Sequence, residues 1–164
     1  MIGGYSRDSF GSGSAGDFAL VDETDGVNAG IFLAVDLGRV DLRPAIVFRD
    51  LPGAVLLGES RSPVDVEVVE IPLDLVIKAP IDGPTPYLVA GPVVMFPSSA
   101  RTQVDEALAG TRVRFDVGIG FEWNLGFRIW PEVRYGESAS GLLVRDATGD
   151  TKVSTWVFRL GVSF

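Results

Sequence analysis

The sequence predicts an all-β fold: a single domain over residues 1–164 that closes into an eight-stranded, antiparallel, up-and-down transmembrane β-barrel. Three observations predict it. Apolar and polar residues alternate with a period of two over long stretches. The charged and small residues of those stretches share one face, opposite bulky apolar groups. The connections between the stretches alternate between short turns and long polar segments.

Composition narrows the choice first. The chain is 22% charged, with a formal net charge of −8, yet its mean hydropathy is +0.28. A soluble domain of this size rarely combines the two, because its apolar residues need an interior to match. A spanning helix does not resolve the conflict. The longest uncharged run, 83–100, carries Pro84, Pro86, Pro92 and Pro97, and proline removes helical hydrogen bonds. The apolar residues must therefore be spread over strands.

The clearest strand is 111–123. Val113, Phe115, Val117, Ile119, Phe121 and Trp123 fall on one face, and Arg112, Arg114, Asp116, Gly118, Gly120 and Glu122 on the other. That is strand periodicity. It resumes at 127–135, with Phe127, Ile129, Pro131, Val133 and Tyr135 against Arg128, Trp130, Glu132 and Arg134. The last segment, 155–164, sets Trp156, Phe158, Leu160, Val162 and Phe164 against Thr155, Val157, Arg159, Gly161 and Ser163. The second to fifth strands are read at 28–37, 40–49, 69–78 and 86–96, and a weakly marked first strand within 1–10. An even count is what single-chain outer-membrane barrels use. Pro44, Pro72, Pro92 and Pro131 interrupt these strands and are expected at bulges.

Short turns are expected at Gly38-Arg39, at 80–85 and at Asn124-Leu125. Long loops are expected at 11–27, 50–64, 97–110 and 136–151. Short periplasmic turns against long external loops would put both termini in the periplasm. With apolar faces toward lipid, the inward set has eight cations, Arg43, Arg49, Lys78, Arg112, Arg114, Arg128, Arg134 and Arg159. Seven acids oppose them: Asp36, Asp41, Glu70, Asp74, Asp116, Glu122 and Glu132. Near-balance is what a lumen requires, since an unpaired buried charge costs several kcal/mol. Aromatic girdles are expected from Phe121, Trp123, Phe127 and Phe164 at one rim, and from Phe48, Phe96, Phe115, Tyr135 and Trp156 at the other. A strand from Trp156 to Phe164 spans roughly 20 Å when tilted by ~40°, close to the ~25 Å apolar band of such barrels.

Several stretches resemble the small outer-membrane β-barrel family of PorT-like type. They are Leu42-Arg43-Pro44-Ala45-Ile46-Val47-Phe48, Glu70-Ile71-Pro72-Leu73-Asp74-Leu75-Val76-Ile77-Lys78, Pro86-Tyr87-Leu88-Val89-Ala90-Gly91-Pro92, Gly118-Ile119-Gly120-Phe121-Glu122, Val133-Arg134-Tyr135 and the closing Leu160-Gly161-Val162-Ser163-Phe164. The likeness runs over 30–164 and includes the awkward prolines. It implies an eight-stranded barrel in the bacterial outer membrane, in a family whose members mostly lack an assigned activity. Ala45 departs from it, because an acidic residue is implied there. The resemblance and the terminal alternation together make Phe164 an assembly signal read by the outer-membrane insertion machinery.

The chain has no cysteine and no histidine. It thereby lacks thiolate ligands, the commonest transition-metal ligand and the usual neutral-pH general base. No cofactor or metal is expected, and no catalytic residue, so the chain is expected not to be an enzyme. Glu70/Asp74 and Glu122/Glu132 are read as partners of lumen arginines. Acidity argues against nucleic acid as partner. Asp22-Glu23-Thr24-Asp25-Gly26 and Asp146-Ala147-Thr148-Gly149-Asp150 resemble fragments of calcium loops without a full ligand set. No signal peptide opens the chain, so a mature or trimmed form is expected. The expected role is structural or surface-interacting, through acidic outer loops toward an unknown surface partner or larger envelope assembly. Arg43, Glu70, Asp74, Lys78, Arg112, Arg114, Asp116, Glu122, Arg128, Glu132, Arg134 and Arg159 are expected to fill the lumen. A narrow ion or small-solute channel is the alternative, and a soluble lipocalin-like carrier barrel a more distant one.

Overall fold

The structure, a computed structural model, describes residues 1–10, 18–20, 24–57, 60–81, 83–100, 111–138 and 153–163. Those residues form ten strands: β1 (Ile2–Phe10), β2 (Phe18–Leu20), β3 (Thr24–Phe32), β4 (Val35–Asp36), β5 (Val40–Leu57), β6 (Ser60–Lys78), β7 (Thr85–Ala100), β8 (Arg112–Asn124), β9 (Arg128–Ser138) and β10 (Val153–Ser163). Eight of them close a ring of antiparallel neighbours, β1–β3–β5–β6–β7–β8–β9–β10 and back to β1. The short β2 and β4 also pair with β5, beyond the two ends of β3. The fold is therefore a closed eight-stranded antiparallel barrel.

The weakly marked first strand closes this ring. Tyr5 of β1 pairs with Phe158 on one side and Val27 on the other. Its register sends Ser6 and Asp8 inward, and both are buried. Elsewhere the alternation in sequence becomes an alternation in exposure. Phe115, Val117 and Ile119 are exposed on the outer surface, while Arg114 and Asp116, in the opposite phase, are buried. Three short turns join strands at one end of the barrel, and each has a glycine at positive φ: Gly38 (94°), Gly83 (88°) and Gly126 (89°). Side chains are strained in that region, and glycine is not. Asp36 and Asn124 brace two of these turns, accepting from the Gly38 and Gly126 N–H at 2.7 and 3.3 Å.

The strands at the opposite end run further than the alternation implied. β5 and β6 stay paired from Val40↔Ile77 out to Leu57↔Ser60. The loop expected at 50–64 is thus mostly a hairpin, in which Pro52, Gly53 and Pro63 read as breakers but remain in the ladder. The other three expected loops are shortened likewise, since β7 continues to Ala100, β9 continues to Ser138, and β2 and the start of β3 lie within 11–27. Thr24, Asp25 and Gly26 are strand residues, whereas 139–152 lies outside the described residues, Asp146 to Asp150 included.

The expected proline bulges are not where the register shifts. Pro92↔Phe115 and Pro131↔Leu160 stay paired on one side, while pairing to the other neighbour lapses at both prolines and resumes in the same register. Pairing lapses beside Pro44 and Pro72 but resumes in the same register. The shift falls between Glu67 and Val68, opposite Pro97 and Ser99. In a closed ring a proline withholds its N–H from one neighbour or the other, so pairing lapses on that side without a shift of register, and proline alone does not locate a bulge.

Candidate functional site: the ionic lumen

Alternation sends one face of each of the eight ring strands into the lumen, and among the described residues the charged side chains there meet in three groups. The upper group, nearest the long-strand end, centres on Glu70. Its carboxylate accepts from Arg49 (2.8 Å), Arg114 (3.2 Å) and Arg159 (3.3 Å). Arg114 also grips Asp116 through Nε (2.6 Å) and Nη2 (3.0 Å), a bidentate fork. Arg49 donates to Asp8, whose other oxygen accepts from the Thr155 hydroxyl at 2.5 Å.

The middle group couples two acids to two arginines. Arg134 holds Asp74 through Nη1 (2.7 Å) and Nη2 (2.6 Å) and turns its Nε to Glu132. Glu132 also accepts from Arg43 and from the Tyr87 hydroxyl at 3.0 Å. The Arg43 guanidinium lies 5.5 Å from the Tyr87 ring centre and 5.9 Å from that of Trp130. The lower group, at the short-turn mouth, sets Lys78 between Asp41 (2.6 Å) and Glu122 (3.0 Å), with Arg128 3.7 Å from Glu122.

Each group is neutral by itself. Asp8, Glu70 and Asp116 meet Arg49, Arg114 and Arg159; Asp74 and Glu132 meet Arg43 and Arg134; Asp41 and Glu122 meet Lys78 and Arg128. Local neutrality matters more than a balanced total. In a poorly screened interior, a charge compensated only by a distant partner still carries a desolvation cost of several kcal/mol. Backbone geometry makes room for the ions at Gly136, where a Cβ would lie 2.0 Å from Asp116 Oδ1 and 2.8 Å from Arg114 Nε.

Eleven of the twelve residues expected in the lumen network therefore belong to these groups: Arg43, Glu70, Asp74, Lys78, Arg114, Asp116, Glu122, Arg128, Glu132, Arg134 and Arg159. Arg112, two residues beyond Arg114, is half-buried toward the long-strand end. Asp36, counted among the inward acids, is instead exposed at the Gly38 turn. Asp8, Thr155 and Tyr87 were not foreseen as partners. Only the pairing of β1 with β10 brings Asp8 opposite Thr155.

Outside, Phe121, Trp123, Phe127 and Trp156 are exposed, and Tyr135 packs against Trp156 with ring centres 5.2 Å apart. Phe164 lies outside the described residues. A carrier barrel needs the reverse arrangement, apolar within and charged without, so the lipocalin-like alternative is ruled out. Among the described residues, no group of three or more acidic, histidine or cysteine side chains is arranged to hold a metal ion.

A closed barrel with ions inside and an apolar band outside defines the class: an eight-stranded barrel of outer-membrane type. The fold of one solved structure agrees. The crystal structure of the outer membrane enzyme PagL matches with a TM-score of 0.54 over 98% of this chain and 97% of that one, at 10% identity. The outer membrane protein AlkL, solved by solid-state NMR in DMPC bilayers, matches with a TM-score of 0.47 over 99% and 88%, at 12% identity. No family model matches the chain, and no curated protein matches it significantly.

The expectation that the chain is not an enzyme is overturned here. It rested on the missing histidine and on a packed lumen. PagL has this fold along almost its whole length and is an outer membrane enzyme, so the architecture itself does not exclude catalysis.

Proposed function

We propose that this chain is an integral outer-membrane barrel whose lumen is shut by ion pairs and whose long-strand end meets a partner at the cell surface. The observation that carries this reading is the lumen: three neutral groups of ion pairs in a ring of eight strands, an interior that side chains just fill. The void among Arg43, Asp74, Glu132, Arg134 and Arg159 measures only about 10 Å³. The exposed apolar band, with Val117, Ile119, Phe158 and Leu160 on its surface, supports lipid as the surrounding solvent. The PorT-like resemblance supports the same reading, as does the net charge of −8, which leaves the outer segments acidic.

Two properties follow. The protein should enter detergent rather than buffer, and should migrate faster on gels unheated than boiled, because the closed ring resists unfolding by cold detergent. Purification from the aqueous fraction without detergent would refute the membrane reading. The insertion machinery should also read Phe164 as an assembly signal. Its deletion should lower the amount reaching the outer membrane while leaving refolding into micelles intact, and unchanged insertion would remove that partner.

A further inference from the structure

Two spaces of very different size lie on either side of one aromatic pair. At the short-turn mouth an open vestibule of about 660 Å³ is lined by Phe32, Leu33, Phe127, Arg128, Trp130 and Ser163 among others. Deeper in, the 10 Å³ void is lined by Phe32, Arg43, Ala45, Trp130, Glu132 and Arg159 among others. Phe32 and Trp130 are the two residues common to both linings. Their rings meet edge-to-face, with centres 4.7 Å apart and planes at 63°. Trp130 is nearly buried, at 5% exposure. It packs against Gly161, where a Cβ would come within 2.9 Å of its ring, and Arg43 backs it from within.

Behind this pair is an unmet demand for hydrogen bonds. Arg159 is buried, and its Nη2 donates to Glu70, but Nε and Nη1 have no partner. Leaving charged donors unpaired in a dry interior is costly. The void that Arg159 lines has the size of a single water, for which about 10–15 Å³ suffices. Asp74 and Glu132 line it too, so a water accepting from Arg159 has carboxylates to donate to. The position matters as well, because Arg159 belongs to the upper group and the two acids to the middle one. Among the described residues no hydrogen bond joins these groups.

We propose that Arg159 holds one internal water that joins the upper and middle ion groups, and that Phe32 and Trp130 form a septum sealing that site from the vestibule. The vestibule is then a blind pocket, and the septum separates it from the void at the centre of the ion network.

The absence of native cysteine makes the test clean. Ala45 lines the void at 6% exposure, and Ala45→Cys places a thiol there in the full-length protein in micelles. Methyl methanethiosulfonate, small and neutral, should label it slowly, at a rate limited by local opening. Adding Trp130→Ala should speed labelling by about 100-fold, whereas Trp130→Phe should leave it slow. Phe32→Ala breaches the septum from the other side and serves if Trp130→Ala loses the heat-dependent gel shift. The water is read by oxygen-17 relaxation dispersion: one long-lived water in the parent, lost when Ala45→Val fills the void. Ala45→Cys labelling as fast as an exposed Leu37→Cys, or folded septum variants that label no faster, would overturn the seal. No long-lived water in the parent would overturn the site.

Discussion

Glu70 takes hydrogen bonds from three arginines on three different strands, and each of those arginines is left short if it is neutralised. Glu70→Gln should therefore cost about 3–5 kcal/mol, as for other buried charges deprived of a partner, measured by urea unfolding in micelles. Glu122→Gln, beside the 42% exposed Arg128 side chain, should cost no more than about 1 kcal/mol. Similar losses at both would mean that the lumen is wet throughout. Pair deletion gives a sharper contrast. Replacing Arg134 by Met and Asp74 by Leu together should destabilise less than the sum of the single changes, because the second removes the charge that the first leaves alone. On the outer surface, Val117→Arg or Leu160→Arg near the middle of the apolar band should cost ~2–4 kcal/mol in bilayers. Leu37→Arg in a short turn should be nearly silent, and equal tolerance at all three positions would place the band in water.

At the scale of the strands, what the sequence made legible follows from the solvent each face meets. β8, β9 and β10 alternate cleanly because lipid rejects polar residues on one side and the ion groups reject unpaired ones on the other. β1 alternates poorly, since Gly3, Gly4, Tyr5 and Ser6 carry little contrast in hydropathy, and so Asp8 escaped notice until pairing placed it beside Thr155. The outward continuations of β5 and β6 were read as loop for the opposite reason. Beyond Asp50 and Glu67 the sequence no longer alternates between charged and apolar residues, and Pro52, Gly53 and Pro63 look like breakers although they keep register. This outer hairpin lies beyond the three ion groups. Deleting 52–65 should therefore leave a barrel that still shows the heat-dependent gel shift, and a chain that no longer folds would mean that the extension holds the ring together. Which of the twelve expected residues sit together was partly legible too, as inward phase. The division into groups was not, because it depends on the stagger between neighbouring strands, which alternation does not reveal.

For the molecule as a whole, the proposed function is that of a closed body and not a pore, shut by the three neutral groups. A lumen with a net charge would attract counterions and keep water. One that is neutral at each level needs no counterions, and eight strands leave space for little beyond the single water proposed at Arg159. Conductance of the purified protein in planar bilayers tests this most directly. Closed ion groups predict a silent bilayer at salt concentrations where porins conduct, with steps appearing when Arg134→Ala and Glu132→Ala are combined to empty the middle group. Stable, reproducible conductance steps from the unaltered chain would contradict it, and would mean that Arg43, Arg114, Arg134 and Arg159 line an open path instead of closing one.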